Sequence, residues 1–340
     1  MGRTTGALAA LAARSIGGAV SPAGARGRLA VFGYHQVLER KDALRHGEPT
    51  PGEFASDLEI IKRLFNVLPL GEAVRRLQEG SLPARAACIT FDDGYANNHD
   101  LAAPALEAAG LPATFFVATG AIDEGIMWND LVLEAVARCR EPFVIADESL
   151  RAAVAIPGAA EGGASLGTRL LQALKYRPLA ERAEAAARLY RDNVGGEPPR
   201  LMMTRDGVAA LAQRGFAIGG HTVQHPILTR LPDADARLEI DGCSRWIEQV
   251  TGQRPTEFAY PNGRPGTDFT PAHAAMVQDA GYDCAVSTEW GIARRGADPF
   301  TIPRIGSWWR HNRRVAAGVL RLYGKSLLSA EVLRGVRSRR

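Results

Sequence analysis

Strand and helix signals alternate along this sequence, which predicts an α/β fold, a largely parallel sheet or barrel, with a helical insertion. Three observations carry that expectation. Short apolar runs recur between helical stretches, as at 29–34, 86–91 and 113–117. Polar clusters follow several of these runs directly, where a β/α barrel places its chemistry. Between about 120 and 200 the strand repeat disappears and helical spacing takes over.

Residues 29–34 form the first expected strand, ending at His35. Thr50-Pro51-Gly52-Glu53 then combines a capping-box pattern with Pro at the first helical position. The helix after it puts Phe54, Leu58, Ile61 and Phe65 on one face. Residues 86–91 read as a buried strand whose end delivers Asp92 and Asp93. The next helix runs to about Ala109 and stops at Gly110, with Pro104 limiting its start or kinking it. Residues 113–117 are another buried strand. Within the insertion, about 121–200, Leu131, Val132, Ala135 and Val136 have helical spacing, as do Leu170, Leu171 and Leu174, and residues 185–189. Glu161-Gly162-Gly163 marks a loop there. Thr204 caps a helix through Arg214, closed by Gly215, and the strand 216–219 leads to His221. A helix over 233–250, a strand over 257–260, a helix from Thr270-Pro271 to Ala280, and strands at 284–287 and 301–305 complete the pattern.

The 340 residues suit one large α/β domain or two small ones. With 46% hydrophobic and 23% charged residues, the chain is globular rather than disordered. The domain is taken as 29–306, between an N-terminal segment 1–28 and a basic helical tail 307–340. The tail holds much of the +4 net charge, in Arg310, Arg313, Arg314, Arg321, Lys325, Arg334, Arg337, Arg339 and Arg340. Such a tail suits peripheral contact with anionic lipid or an anionic glycan, and its plainer reading is a solvated helix face. No nucleic-acid partner is expected. Residues 7–20 are Ala-rich, and Ala23-Gly24-Ala25 resembles a cleavage site, but Arg14 interrupts the run and it is too short to span a bilayer. An amphipathic helix or frayed end is preferred there to a cleaved signal. Cys88, Cys139, Cys243 and Cys284 have neither metal-ligand nor redox spacing. Cys88 and Cys284 read as small core residues of strands, which favours a reducing compartment. The expected location is therefore the cytoplasm or the inner membrane surface rather than the periplasm.

Two adjacent carboxylates after a buried strand repel each other unless something resolves the charge. A divalent cation does so: one carboxylate ligates it while the other stays free as a base. Asp93 and Asp92 fit those jobs, and Gly94 permits the tight turn that aims them; the plainer reading is an Asx turn. His221 and His225, after Gly219 and Gly220, can grip one metal together. Two His and one Asp leave positions open for water and substrate. Zinc is the first expectation, and other first-row divalent metals also suit the set.

At these residues the sequence resembles the polysaccharide deacetylase family, also called carbohydrate esterase family 4 or the NodB-homology group. Thr90-Phe91-Asp92-Asp93-Gly94 is similar to its first motif, His221-Thr222-Val223-Gln224-His225 to its second, and Phe258-Ala259-Tyr260-Pro261-Asn262-Gly263, imperfectly, to its third. The resemblance spans about 29–120 and 201–306. It implies a distorted (β/α) barrel and metal-dependent removal of N-acetyl groups from an amino-sugar polysaccharide, oligosaccharide or glycolipid. It further implies that Asp92 is the general base acting on metal-activated water, that Asp93, His221 and His225 hold the metal, and that a backbone N–H near Tyr260 or Asn262 supports the oxyanion. Tyr260, Pro261, Asn262 and Trp308 are the expected substrate contacts.

Three departures from the family pattern follow. Ala259 stands where the third motif usually has the arginine that steadies the catalytic aspartate, and Arg304, at the end of a late strand, is expected to substitute. Asn262 replaces the usual aromatic. The late Leu-x-His motif that supplies the general acid has no clean match. His35 in Tyr34-His35-Gln36-Val37, similar to deacetylases of exopolysaccharide and cell-envelope pathways, is preferred for that role over His311. Trp128-Asn129-Asp130 either lines the cleft or caps a helix starting at Asp130. Tyr34 and Tyr95 are expected to pack, and His46, His99 and His273 to lie on the surface. Competing functions are a deformylase or deacylase of a lipid-linked amino sugar, a non-catalytic glycan-binding module, and a phosphatase using the Asp pair.

Overall fold

The computed structural model describes residues 21–139, 142–155 and 166–306. The expected N-terminal helix, the loop at Glu161-Gly162-Gly163, and the basic tail with Trp308, Trp309 and His311 lie outside the described residues.

Seven parallel strands close into a barrel. β1 (Arg28–Tyr34) pairs with β3 (Ala86–Phe91) on one side and with β9 (Ile302–Gly306) on the other. The circuit runs from β3 through β4 (Thr114–Val117), β5 (Ala217–Gly220), β6 (Glu257–Ala259) and β7 (Cys284–Trp290) to β9. Two short strands are appended: β2 (Asn66–Val67) runs parallel to β3, and β8 (Ala293–Arg294) runs antiparallel to the start of β1. The distortion has a location. β5 and β6 share a single partner pair, Gly220 with Phe258, and the register shifts between Val286 and Trp290 where β7 meets β9.

These strands are apolar on both faces because both are covered, as parallel sheets require. Side chains alternate across each strand. Leu29 and Val31 of β1, Ala86 and Cys88 of β3, Phe116 of β4, Cys284 and Val286 of β7 and Ile302 of β9 meet in one cluster, the barrel interior. The intervening Ala30, Phe32, Tyr34, Ile89, Phe91 and Phe115 pack outward with Phe54, Leu58 and Ile61 of α1 (Pro51–Leu64). Cys88 and Cys284 are thus free thiols of the core. Helix α2 (Leu70–Glu79) had not been expected, although Leu70, Ala73, Val74 and Leu77 have helical spacing and Gly80 ends it in the left-handed region. Those four side chains join the interior cluster, and the Gly71 N–H donates to the Glu257 carboxylate at the start of β6. Helix α2 therefore closes the end of the barrel away from the strand C-termini.

The helix after Gly94 begins with a wide turn over Asn98–Ala102 and becomes α3 (Ala103–Ala109), with Pro104 in its first turn. The insertion begins slightly earlier than expected. It comprises α4 (Thr119–Glu124), α5 (Trp128–Arg138), α6 (Glu148–Ala155), α7 (Leu166–Leu174) and α8 (Leu179–Asn193). Val132, Ala135, Leu150, Leu170, Leu174, Ala186 and Leu189 give it a core of its own. Helices α9 (Arg205–Gln213), α10 (Asp233–Thr251) and α11 (Pro271–Asp279) complete the outer layer. His273 is not a surface residue: it is buried, and its Nδ1 accepts the Thr270 N–H at 3.0 Å, closing the first turn of α11. Among the described residues no helix is long and apolar enough to cross a membrane.

Candidate active site

Strand alternation puts Thr90 and Asp92 on the inward side of β3, at the mouth of the barrel. The Asp92 N–H donates to the Tyr34 carbonyl at 2.9 Å, so the ladder continues through Asp92. The chain then turns sharply. Asp93 has φ +77° and Gly94 φ +93°, and a Cβ on Gly94 would stand 2.8 Å from Ile122 Cδ1. Of the five described non-glycine residues with positive φ, four are Asp93, Thr222, His225 and Asn262. Each such residue costs on the order of 1–3 kcal/mol and persists only where its surroundings enforce it. The strain is concentrated in the three motifs.

Asp93, His221 and His225 come together. Asp93 Oδ1 lies 3.4 Å from His221 Nε2 and 3.5 Å from His225 Nε2. Donors about 2.1 Å from one tetrahedral metal stand about 3.4 Å apart, so the spacing fits a shared cation. Asp93 Oδ1 is buried without a hydrogen-bond partner, an orphan that a cation would satisfy. His221 Nδ1 lies 2.7 Å from the Ala259 carbonyl, so it carries the proton and leaves Nε2 free as a ligand. Burial, then the neighbouring His221, push the His225 pKa down to about 3, which keeps that ring neutral.

Asp92 has a different partner. Arg304, from β9, clamps it with Nη1 on Oδ1 and Nη2 on Oδ2, both at 2.7 Å. The guanidinium also donates from Nε to the Ser287 carbonyl at 3.0 Å and from Nη1 to Thr90 Oγ1 at 3.4 Å. Both members of the pair are buried. Burial alone would raise the Asp92 pKa, but Arg304 outweighs it and holds the carboxyl below its ordinary value. The guanidinium thus reaches Asp92 from β9, while position 259 contributes only a carbonyl, to His221.

One open cleft of about 560 Å³ is lined by His35, Asp92, Asp93, His221, His225, Tyr260 and Asn262 together. His35, half-exposed, sits with Nδ1 3.9 Å from Glu48 Oε1. The cleft walls partly desolvate its ring, which disfavours the charge, but Asp93, Glu48 and Asp92 outweigh that and raise its pKa above the ordinary histidine value. Of the expected substrate contacts, Tyr260 and Asn262 line this cleft. The Tyr260 ring is buried, stacked on Phe269 at 3.7 Å, with its hydroxyl donating to the Phe300 carbonyl. Its N–H is taken by the Val286 carbonyl at 3.3 Å, so it is not free for an oxyanion. Pro261 is buried and does not line the cleft. Trp308 lies outside the described residues.

The opposite wall comes from the loop after β1 and from the start of α5. Helix α5 starts at Trp128 rather than at Asp130, so the Trp128-Asn129-Asp130 run is its first turn and not its cap. Asp130 is buried, receives Arg45 at 3.0 Å and the Tyr95 hydroxyl at 2.9 Å, and burial pushes its pKa up to about 6. Tyr95 therefore does more than pack, and Arg45, with a second bond to Glu134 at 3.1 Å, ties the loop after β1 to the insertion. Tyr95, Asn129, Asp130, Arg45, His46 and Glu48 all line the cleft. Only the Trp128-Asn129-Asp130 run had carried a signal. The others are recognisable once the loop and the helix are seen to face each other.

Comparison with known proteins agrees with this geometry. The profile of the polysaccharide deacetylase family matches residues 79–157 and 163–285, more than half of the chain. Putative polysaccharide deacetylase YxkH of Bacillus subtilis (strain 168) is 26% identical over 103 residues, 30% of this chain and 36% of that protein. The match thus spans little more than a third of the relative's length. The barrel superposes on the Streptococcus pyogenes deacetylase PplD, solved in complex with acetate, with a TM-score of 0.54 at 18% identity, covering 82% of this chain and 92% of that one. It superposes on IcaB from Ammonifex degensii with a TM-score of 0.54 at 20% identity, covering 87% and 97%. With its first two motifs placed at the mouth of a barrel shared with these structures, the chain belongs to the polysaccharide deacetylase family.

Proposed function

We propose that this protein is a metal-dependent hydrolase that removes N-acetyl groups from an amino-sugar polysaccharide, oligosaccharide or glycolipid. The observation that carries the reading is the pairing of two carboxylates with two separate partners in one cleft. Asp93 faces the histidines with metal-donor spacing, while Asp92 is locked by Arg304. A divalent cation held by Asp93, His221 and His225, zinc first among the candidates, supplies Lewis-acid activation of the acyl carbonyl and of water. Asp92, ionised at neutral pH, takes the proton from the attacking water. His35, protonated to higher pH than an ordinary histidine, gives a proton to the leaving amine. Base and metal ligands are all present, which argues against a glycan-binding module without activity.

The reading is tested by acetate release from N-acetylated amino-sugar oligomers, with chelator-treated enzyme and Asp92→Asn as controls. Metal-dependent acetate release is the expected result. Formate release in its place would assign the acyl group otherwise. His35→Gln is expected to lower kcat about 10²-fold with metal content unchanged. It should also abolish the alkaline limb of the pH profile. His35 is the acid, so the wild-type rate falls as pH rises through its raised pKa. Unchanged turnover in this variant would take His35 out of the mechanism.

A further inference from the structure

The second-motif loop, residues 221–225, carries two left-handed non-glycine residues, Thr222 at φ +65° and His225 at φ +50°. A loop so strained has to be held from outside, and its polar backbone groups show how. The His221 N–H donates to the Val117 carbonyl at 3.1 Å. The Thr222 carbonyl accepts from Thr119 N at 3.1 Å, and the Val223 carbonyl from Gly120 N at 2.8 Å. A Cβ on Gly120 would stand 2.6 Å from Gln224 Nε2 and 2.9 Å from the Val223 oxygen, so only glycine allows this approach. These contacts are backbone contacts and do not depend on neighbouring side chains.

Three further groups of the loop are met by two side chains from different parts of the fold. Glu239, on α10, accepts the Val223 and Gln224 N–H groups, both at 2.8 Å and both on Oε2. Arg182, on insertion helix α8, donates from Nη2 to the His225 carbonyl at 3.4 Å. Arg182 is 4% exposed, and its guanidinium lies 4.6 Å from the centre of the Trp128 ring. A buried cation needs compensation, and the charge that favours Arg182 in its ionised form is that of Glu239. One side chain therefore grips the amides between the two histidines, and the other grips the carbonyl of the second histidine.

We propose that Glu239 and Arg182 are positioning residues for metal binding, clamping the 221–225 loop so that both imidazoles face Asp93, and that the helical insertion is through Arg182 part of the metal site. The proposal rests on the metal-dependent reading of the triad. Groups that orient metal ligands from behind are worth about 10- to 100-fold in metal affinity. Glu239→Ala removes the acceptor for both amides and is expected to weaken Zn²⁺ binding by that amount. Glu239→Gln keeps one oxygen and is expected to recover most of the loss. Arg182→Met keeps an unbranched side chain beside Trp128 and removes the donor, and is expected to weaken Zn²⁺ about 10-fold.

The measurement is the Zn²⁺ dissociation constant of the full chain, by competition with a chromophoric chelator. The visible absorption spectrum of the Co²⁺-loaded protein and the Tm of the metal-free protein complete it. Support is a weaker Kd and an altered Co²⁺ spectrum in Glu239→Ala and Arg182→Met, with rescue in Glu239→Gln. If Glu239→Ala does not fold, Glu239→Asp, one methylene short of the amides, takes its place. Folded variants that lower Tm while keeping the wild-type Kd and Co²⁺ spectrum would overturn the clamp. So would a wild-type protein that binds neither metal. Wild-type protein that binds Zn²⁺ but releases no acetate would overturn the deacetylase reading and leave the clamp standing, because no substrate enters these measurements.

Discussion

Asp92→Asn is expected to lower kcat for acetyl release by about 10²- to 10⁴-fold while the metal content stays at the wild-type value. The side chain keeps its shape and loses its basicity. Asp92 is not one of the grouped donors, which are Asp93, His221 and His225, so the substitution should spare the metal. Asp93→Asn is the contrast. It weakens the ligand set itself, and metal and activity should be lost together. The pH profile separates the two roles further. Asp92 has a depressed pKa, so the base form dominates at neutral pH and the wild-type rate falls only as pH drops through that depressed value. The Asp92→Asn variant should lack this limb. Metal analysis beside initial rates checks the prediction, and an Asp92→Asn variant with near wild-type turnover would assign the base elsewhere.

Arg304→Met should be as damaging, through stability as well as rate. The variant leaves a buried carboxylate without its two 2.7 Å hydrogen bonds. Breaking a buried pair by removing one partner costs about 3–5 kcal/mol. The sign of the pH effect follows from the shift. In the wild type the folded-state pKa of Asp92 is depressed, so the pair's contribution is present above the unfolded carboxylate pKa and lost as pH falls through the folded value. In Arg304→Met burial loses its strongest opponent, with only His221 and His35 left against it, and the Asp92 pKa rises relative to the wild type. The deficit relative to wild type should then be largest at neutral pH and shrink as acid protonates the carboxyl. The acidic limb of kcat/KM should move to higher pH for the same reason. Lysine keeps the charge but not the two-pronged geometry, so Arg304→Lys should recover only part of both effects. Denaturant unfolding at two pH values and a pH–rate profile measure this. An unmoved acidic limb would mean that Arg304 does not tune Asp92.

The residues with local causes were legible in advance. Apolar runs with turn residues at their ends located β1, β3 and β4 to within a residue or so, because a strand buried on both faces leaves no polar alternation to misread. Asp92 and Asp93 are adjacent and His221 and His225 are four residues apart, so the chemistry of each pair shows in its spacing. Helix α2 was legible and overlooked: Leu70, Ala73, Val74 and Leu77 repeat at helical spacing and Gly80 closes the run. His273 is expected on the surface but is buried, its Nδ1 accepting the N–H of Thr270 in the capping box of its own helix. The Tyr260 ring turns inward to a partner far along the chain, the Phe300 carbonyl.

By itself, then, the sequence determined the element types, the strand-end position of the chemical groups, and the candidate grouping of Asp93, His221 and His225. Those properties depend on hydrophobic period, capping and residue chemistry over a few positions. Only the tertiary structure decided the partners. Arg304 meets Asp92 across 212 residues because the barrel closes β9 onto β1 and β1 onto β3. Arg45 meets Asp130 because the insertion folds back over the loop after β1, and Arg182 and Glu239 reach one loop from separate helices. A long-range ion pair leaves no periodic trace in sequence, since its energy depends on distance and burial, and both are set by the closure of the fold.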